Sequence, residues 1–198
     1  MLPMPPARQR RLWNSAADMK QKLIQAALDC GAVRAARVAS DQILFSETFR
    51  EICRGNQCGC YGRCWVCPPQ IGPIGELIAR AKEYPWGVLY QTVSPLEDSF
   101  DFEGMMEAAG RHARVSQELQ KIAAGLLAEP FLHLSCGGCH LCPVCAKRTD
   151  EPCRHPEKAL PSLEGYGVDV YNTAGAAGLP YINGANTVTY FGMILFSE

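Results

Sequence analysis

Five cysteines in the second half of the chain, Cys136, Cys139, Cys142, Cys145 and Cys153, most narrow what this sequence can fold into. The first four follow one another at a constant step of three, with two residues between neighbours. A thiolate is a soft anionic ligand, and a short loop presenting several of them wraps a soft metal centre. Packing does not ask for such a repeat, because a core uses cysteine as one small apolar residue among others. An earlier cluster holds Cys53, Cys58, Cys60, Cys64 and Cys67, and of the 11 cysteines only Cys30 stands alone. The chain is therefore expected to be a metalloprotein with two cysteine-rich metal loops.

The compartment decides between metal and disulfide. The opening MLPMPPARQRRLW carries basic residues but no apolar stretch behind them, so it does not read as a secretory signal. The longest apolar run, near the C-terminus, is cut by Thr189 and Gly192 and is too short to span a bilayer. A cytoplasmic chain with no membrane attachment is the expectation. There, clustered cysteines bind metal or do redox chemistry, and an odd total argues further against a disulfide scaffold. With 19 basic against 20 acidic residues, the usual electrostatic footprint of a nucleic-acid binder is missing.

At 198 residues and 47% hydrophobic, the chain can bury one core. Residues 1–12, with Pro3, Pro5 and Pro6, read as a flexible tail, and 13–198 as a single metal-binding domain. A helix should start near Asn14 or Ser15 and end at Gly31, with Ala16, Met19, Leu23, Ala27 and Cys30 as its apolar stripe; this makes Cys30 a core residue. Residues 32–40 and 43–49 read as strands, and 74–84 as a helix ended by Pro85. Residues 86–93 read as a central strand. A long helix over 100–128 is expected to bury Phe102, Met106, Ala109, Ala113, Leu119, Ile122, Ala123 and Leu126, its methionines serving as core filler. A short strand over 131–135 delivers the second cysteine loop. One or two short helices start near Pro161 and Ser162, and 187–196 is a strong strand. Alternating helices and strands predict an α/β fold, a single-domain layered sheet with flanking helices. Both cysteine loops should follow strands; if those strands are neighbours and share direction, the loops meet at one edge of the sheet.

In the second loop, Cys139, Cys142, Cys145 and Cys153 form C-x2-C-x2-C-x7-C. Three thiolates at this step reach three corners of a cubane, and a more distant fourth closes it, as in bacterial ferredoxin runs. Structural zinc more often uses two separated C-x2-C knuckles. The spacing thus favours an iron–sulfur cluster of the [4Fe-4S] type, with zinc, through Cys142, Cys145, Cys153 and His140 or His155, as the alternative. Cys136 is surplus to four ligands. His133 reads as an ordinary buried histidine on a strand. The first loop is less regular and leaves three readings open: a second cluster, a site shared between loops, or a Cys64/Cys67 pair doing disulfide exchange. Arg154, His155 and Lys158 are candidates to stabilise an anionic cluster. The plainer reading makes Ser162 and Glu164 the start of a helix and gives Glu164 or Asp169 the support of the loop.

The motifs CRGNQCGCYG, WVCPP, CHLCPVC, PCRHPEKALPSLEGYGVDV and TVTYFGMILF, spread from about residue 33 to the C-terminus, resemble the cysteine-rich family of predicted metal-binding proteins catalogued as domain of unknown function 2284. The resemblance selects Cys53, Cys58 and Cys67 in the first loop and Cys139, Cys142, Cys145 and Cys153 in the second. Cys60, Cys64 and Cys136 are then additional candidates. It implies metal binding and no particular reaction. The leading expectation is one or two clusters serving electron transfer, with a redox partner protein. The alternatives are a zinc-stapled scaffold or metal-handling protein, and an enzyme whose cluster keeps an open iron position. No catalytic residue and no oligomeric state follow from the sequence.

Overall fold

Along the two longest strands, side chains alternate between two apolar faces. Val88, Tyr90, Ile194 and Phe196 pack into one buried cluster, and Leu89, Phe191, Met193 and Leu195 into another. A strand with both faces apolar needs a cover on each side, which helices supply. The computed structural model describes residues 19–197. The expected tail over 1–12 and the helix start near Asn14 or Ser15 lie outside the described residues. Strands β1 (Arg34–Ala39), β2 (Trp86–Pro95), β3 (Phe131–Leu134) and β4 (Thr187–Phe196) form one sheet in the order β1-β2-β4-β3, antiparallel throughout. Helix α1, over 19–29, and α4 (Phe102–Leu126) cover one face; α3 (Ile74–Lys82) and α5 (Val170–Ala176) cover the other. A short helix, α2 (Phe49–Arg54), stands outside these layers. The architecture is a mixed α/β layered sheet, and no helix among the described residues is long and apolar enough to cross a membrane.

Local chemistry sets the element ends. After α1, the amide of Ala32 bonds the carbonyl of Ala27 and that of Gly31 bonds Leu28, with Gly31 at φ +109°. This is a glycine-ended helix stop, as the sequence predicts, and Cys30 packs against the cluster beside it. Asp101 caps α4 by accepting from the Gly104 amide at 2.8 Å.

Two expectations are corrected. Residues 43–49 do not form a strand. Only Phe45 makes a lone bridge, to Val168, and Phe49 already begins α2. The ladder partner they would need is replaced by a loop, through Ser46 N to Gly167 O (2.7 Å) and Asp169 N to Leu44 O (2.8 Å). The first cysteine loop thus follows a helix. The second correction concerns α4, whose buried face is Ala108, His112, Ser116, Leu119 and Ala123. Phe102 and Met106 are exposed, so this methionine is not core filler.

The inward turn of His112 and Ser116 has a polar cause. Tyr90, fully buried, makes 2.8 Å hydrogen bonds with Ser116 Oγ and His133 Nε2. His133 Nδ1 donates to Gln120 Oε1 at 2.8 Å, and His112 Nδ1 pairs with Thr92 Oγ1 at 2.9 Å. Burial pushes His112 down to about 4; burial and then the neighbouring His112 push His133 down to about 3. Both rings fold neutral, whereas the unfolded chain protonates them near the ordinary value of about 6.5. Below that pH the unfolded state binds more protons, so this stability is present above about 6.5 and is lost as pH falls towards 4 and 3. Urea midpoints should fall over this window, at up to about 1.4 kcal/mol per pH unit for each histidine. A flat profile between pH 6.5 and 4.5 would contradict neutral burial.

Candidate metal centre

β1 and β3 are opposite edges of the sheet and run in opposite directions, so the loops cannot meet through neighbouring strands. They meet nonetheless, because residues 161–169 clasp both approaches. On one side Ser135 N bonds Pro161 O and Leu163 N bonds Ser135 O, fixing the exit of β3. On the other, Gly167 and Asp169 hold Ser46 and Leu44, just before α2. Within the clasp, Ser162 Oγ accepts from the Gly165 amide, and Asp169 caps α5 by accepting from the Asn172 amide. Ser162 thus opens a short helical turn, as the sequence suggested, whereas the Asp169 carboxylate caps α5 instead of supporting the cysteine loop.

The second loop folds back on itself. Cys145 precedes a short 3-10 turn, Ala146–Thr149, anchored by buried Ala146, and Asp150 reverses the chain in the left-handed region at φ +55°. Arg154 Nη1 donates to the Val144 carbonyl at 3.2 Å, closing the loop from its far end. The result is a small cavity lined by Cys139, Cys142, Cys145 and Cys153, with Arg154 and His155 at its rim. Among the described residues, no three His, Cys, Asp or Glu side chains are already set around a point able to hold a metal ion. The donor set nevertheless fits one: four residues bearing soft thiols line a common space, and the lining includes a cation, Arg154, paired with Glu151 outside it, and no carboxylate. His140 is exposed and outside this lining; Lys158 is also exposed, its carbonyl accepting from Gln117. His133 lies on β3 in the polar network described above.

The first loop docks onto the second. The Trp65 indole N–H donates to the Glu151 carbonyl at 2.9 Å, and the Lys147 ammonium sits 4.9 Å above its ring. Cys60 packs on Gly138 so closely that a Cβ there would lie 2.5 Å from Cys60 Sγ. Cys64, buried, lies against the thiols of Cys139 and then Cys67, whose hydrogen bonds push its own thiol well below the usual range. The same contact with Cys64 pushes Cys139 and Cys67 far up, with burial adding to it. A hydrogen bond that favours the charged form of one partner must disfavour it in the other. Burial, then Cys58, also raises Cys60. Cys139 therefore belongs to both loops: it lines the cavity and touches Cys64. Gly138→Ala should push Cys60 away and loosen this junction, costing about 1–3 kcal/mol as overpacking does. Faster alkylation of Cys60 and Cys64 would report it; unchanged rates would contradict the contact.

Not all the candidate thiols gather here. Cys58 is exposed, and Cys53 sits on α2 with its thiol raised mainly by burial. Cys136, at the end of β3, lies outside the cavity lining; burial and then Glu164 push it up to about 12. The spacing alone did not single out Cys64 and Cys60 as the thiols nearest the second loop. Their signal was the neighbouring Trp65, an aromatic placed between cysteines where a simple ligand loop has no use for one.

No curated protein and no solved structure matches the chain. A family model does, over residues 36–196, and its span covers both cysteine loops and the whole sheet except the first residues of β1. With most of its length matched, this chain belongs to the family described as predicted metal-binding protein (DUF2284).

Proposed function

We propose that the second loop holds an iron–sulfur cluster of the [4Fe-4S] type through Cys139, Cys142, Cys145 and Cys153, in a cytoplasmic protein that passes electrons to or supports a partner enzyme. The observation that carries this reading is the shared cavity, which these four thiols line together. Such a cluster supplies a reversible one-electron couple when bound. The chain's own residues supply the rest. Arg154, ion-paired with Glu151 at 3.4 Å, closes the loop and lines the cavity, where its guanidinium would share its charge between that carboxylate and the thiolates. Buried Ala146 anchors the turn that returns Cys153 to the other three. Trp65 and Lys147 cover the junction on the side of the first loop.

A second reading has its own observation. His155 lines the same cavity, and with Cys142, Cys145 and Cys153 it would complete a tetrahedral zinc set. Anaerobic purification separates the two. Brown protein that bleaches with dithionite and carries iron and sulfide supports the cluster. Colourless protein with stoichiometric zinc, resisting reconstitution with ferrous iron and sulfide, supports the scaffold.

A further inference from the structure

Among the described residues, Arg50 is a buried cation with no ion-pair partner. The residue is 8% exposed, and its Nε and Nη2 are sealed from solvent with no hydrogen-bond partner among the described residues. A guanidinium carries its charge at any pH a protein meets, so it cannot escape this cost by losing a proton. Leaving such a group uncompensated is among the most destabilising arrangements a core can hold. Something anionic is needed beside it.

The surroundings say what kind. Arg50 lies on α2 one turn before Cys53, and these are the residues of that helix, with Phe49, that are not exposed. Residues three apart share a helix face, so the guanidinium and the Cys53 thiol point inward together. α2 opens directly into the first cysteine loop, which brings Cys58, Cys60, Cys64 and Cys67. At the loop's exit, Gln70 Oε1 is also buried without a partner. Among the described residues, buried polar atoms therefore lack partners at both ends of this loop: Nε and Nη2 of Arg50 at one, Oε1 of Gln70 at the other. By contrast, the clasp residues Ser162 and Asp169 both have theirs.

We infer that the first loop holds a thiolate-ligated metal centre of its own, with Cys53 among its ligands and Arg50 as its counter-cation. This rests on the reading that the chain binds metal through its cysteines, and goes beyond it by assigning a second centre and the residue that balances its charge. A metal bound by several thiolates is net anionic, which gives the buried guanidinium the partner it lacks. Arg50 acts here as a positioning residue, through charge and hydrogen bonds to ligand sulfur.

The test compares wild type with Arg50→Met, Arg50→Lys and Cys53→Ala, each reconstituted anaerobically with ferrous iron and sulfide. Three readouts are taken: bound iron per chain, the rate of iron loss to a chelator, and the midpoint potential. Arg50→Met should lose the same fraction of iron as Cys53→Ala, or release it at least about tenfold faster than wild type, a factor worth about 1.4 kcal/mol. Any iron it retains on the first loop should have a more negative potential, since a nearby positive charge favours the reduced, more negative state. Arg50→Lys keeps the charge and should fall between the two. Thermal melting of the metal-free proteins adds a sign that a merely structural arginine would not give. Arg50→Met should melt higher than metal-free wild type, because an uncompensated charge has been removed. Wild type that binds no metal overturns both this inference and the reading beneath it. Wild type that binds iron, with Arg50→Met equal to it in retention and potential or melting lower without metal, overturns the inference alone.

Discussion

Cys142→Ala should leave the second loop without metal and cost the protein several kilocalories of stability. Of the three candidate ligands at constant spacing, Cys139, Cys142 and Cys145, it is the middle one, and all three line the cavity. Removing it leaves three donors for a centre that needs four. A preformed site does not survive in the unfolded chain, so the free energy of metal binding is also folding free energy; for structural metals this is on the order of 10 kcal/mol. A loss of even about 5 kcal/mol would lower the melting temperature by about 10–20 °C in a chain of this size. Metal per chain and a thermal melt check both halves. Cys30→Ala is the control, because Cys30 packs beside the cluster of α1 and α4 and should leave metal content unchanged.

Gly192→Ala should be nearly as damaging, although it lies inside a strand and far from chemistry in any sequence sense. Gly192 pairs directly with Tyr90 across β2 and β4, and the tyrosine ring lies over the glycine. A Cβ at 192 would fall within the van der Waals surface of the Tyr90 ring and hydroxyl. Tyr90 cannot yield without breaking its buried bonds to Ser116 and His133. Overpacking costs about 1–3 kcal/mol and stranding buried polar groups a similar amount, so about 3–5 kcal/mol is expected. Chemical denaturation checks it. The double variant Gly192→Ala/Tyr90→Ala should be less destabilised than the sum of its parts, because the two sites share one space. Strict additivity would show that the clash is not the cause.

Residue patterns made part of this structure legible and left another part hidden for physical reasons. Gly31 marked the end of α1 because only a left-handed residue closes that helix, and 187–196 read as a strand because both of its faces are apolar. The face of α4 was misread from Phe102 and Met106 because the periodicity counted only apolar residues. His112 and Ser116 turn inward on the strength of hydrogen-bond partners that come from β2 and the exit of β3, which no local window contains. Residues 43–49 looked like a strand for the same local reason, yet their partner is a loop more than a hundred residues away. At the candidate centre, spacing pointed to Cys139, Cys142, Cys145 and Cys153, and the fold places all four around one cavity. The junction of Cys64 with Cys139, and the stranded charge of Arg50, depend on how two distant loops dock, so neither could be read from intervals between cysteines.

Alkylation of the metal-loaded protein, read residue by residue in a mass spectrometer, bears most directly on the claim that four thiols share one centre. Cys139, Cys142, Cys145 and Cys153 should resist modification together while Cys30, outside both loops, labels at the same rate with and without metal, and all four should become reactive in one step when a chelator strips the metal. Free labelling of any of the four in the loaded protein, or their recovery as disulfides, would contradict a common metal centre.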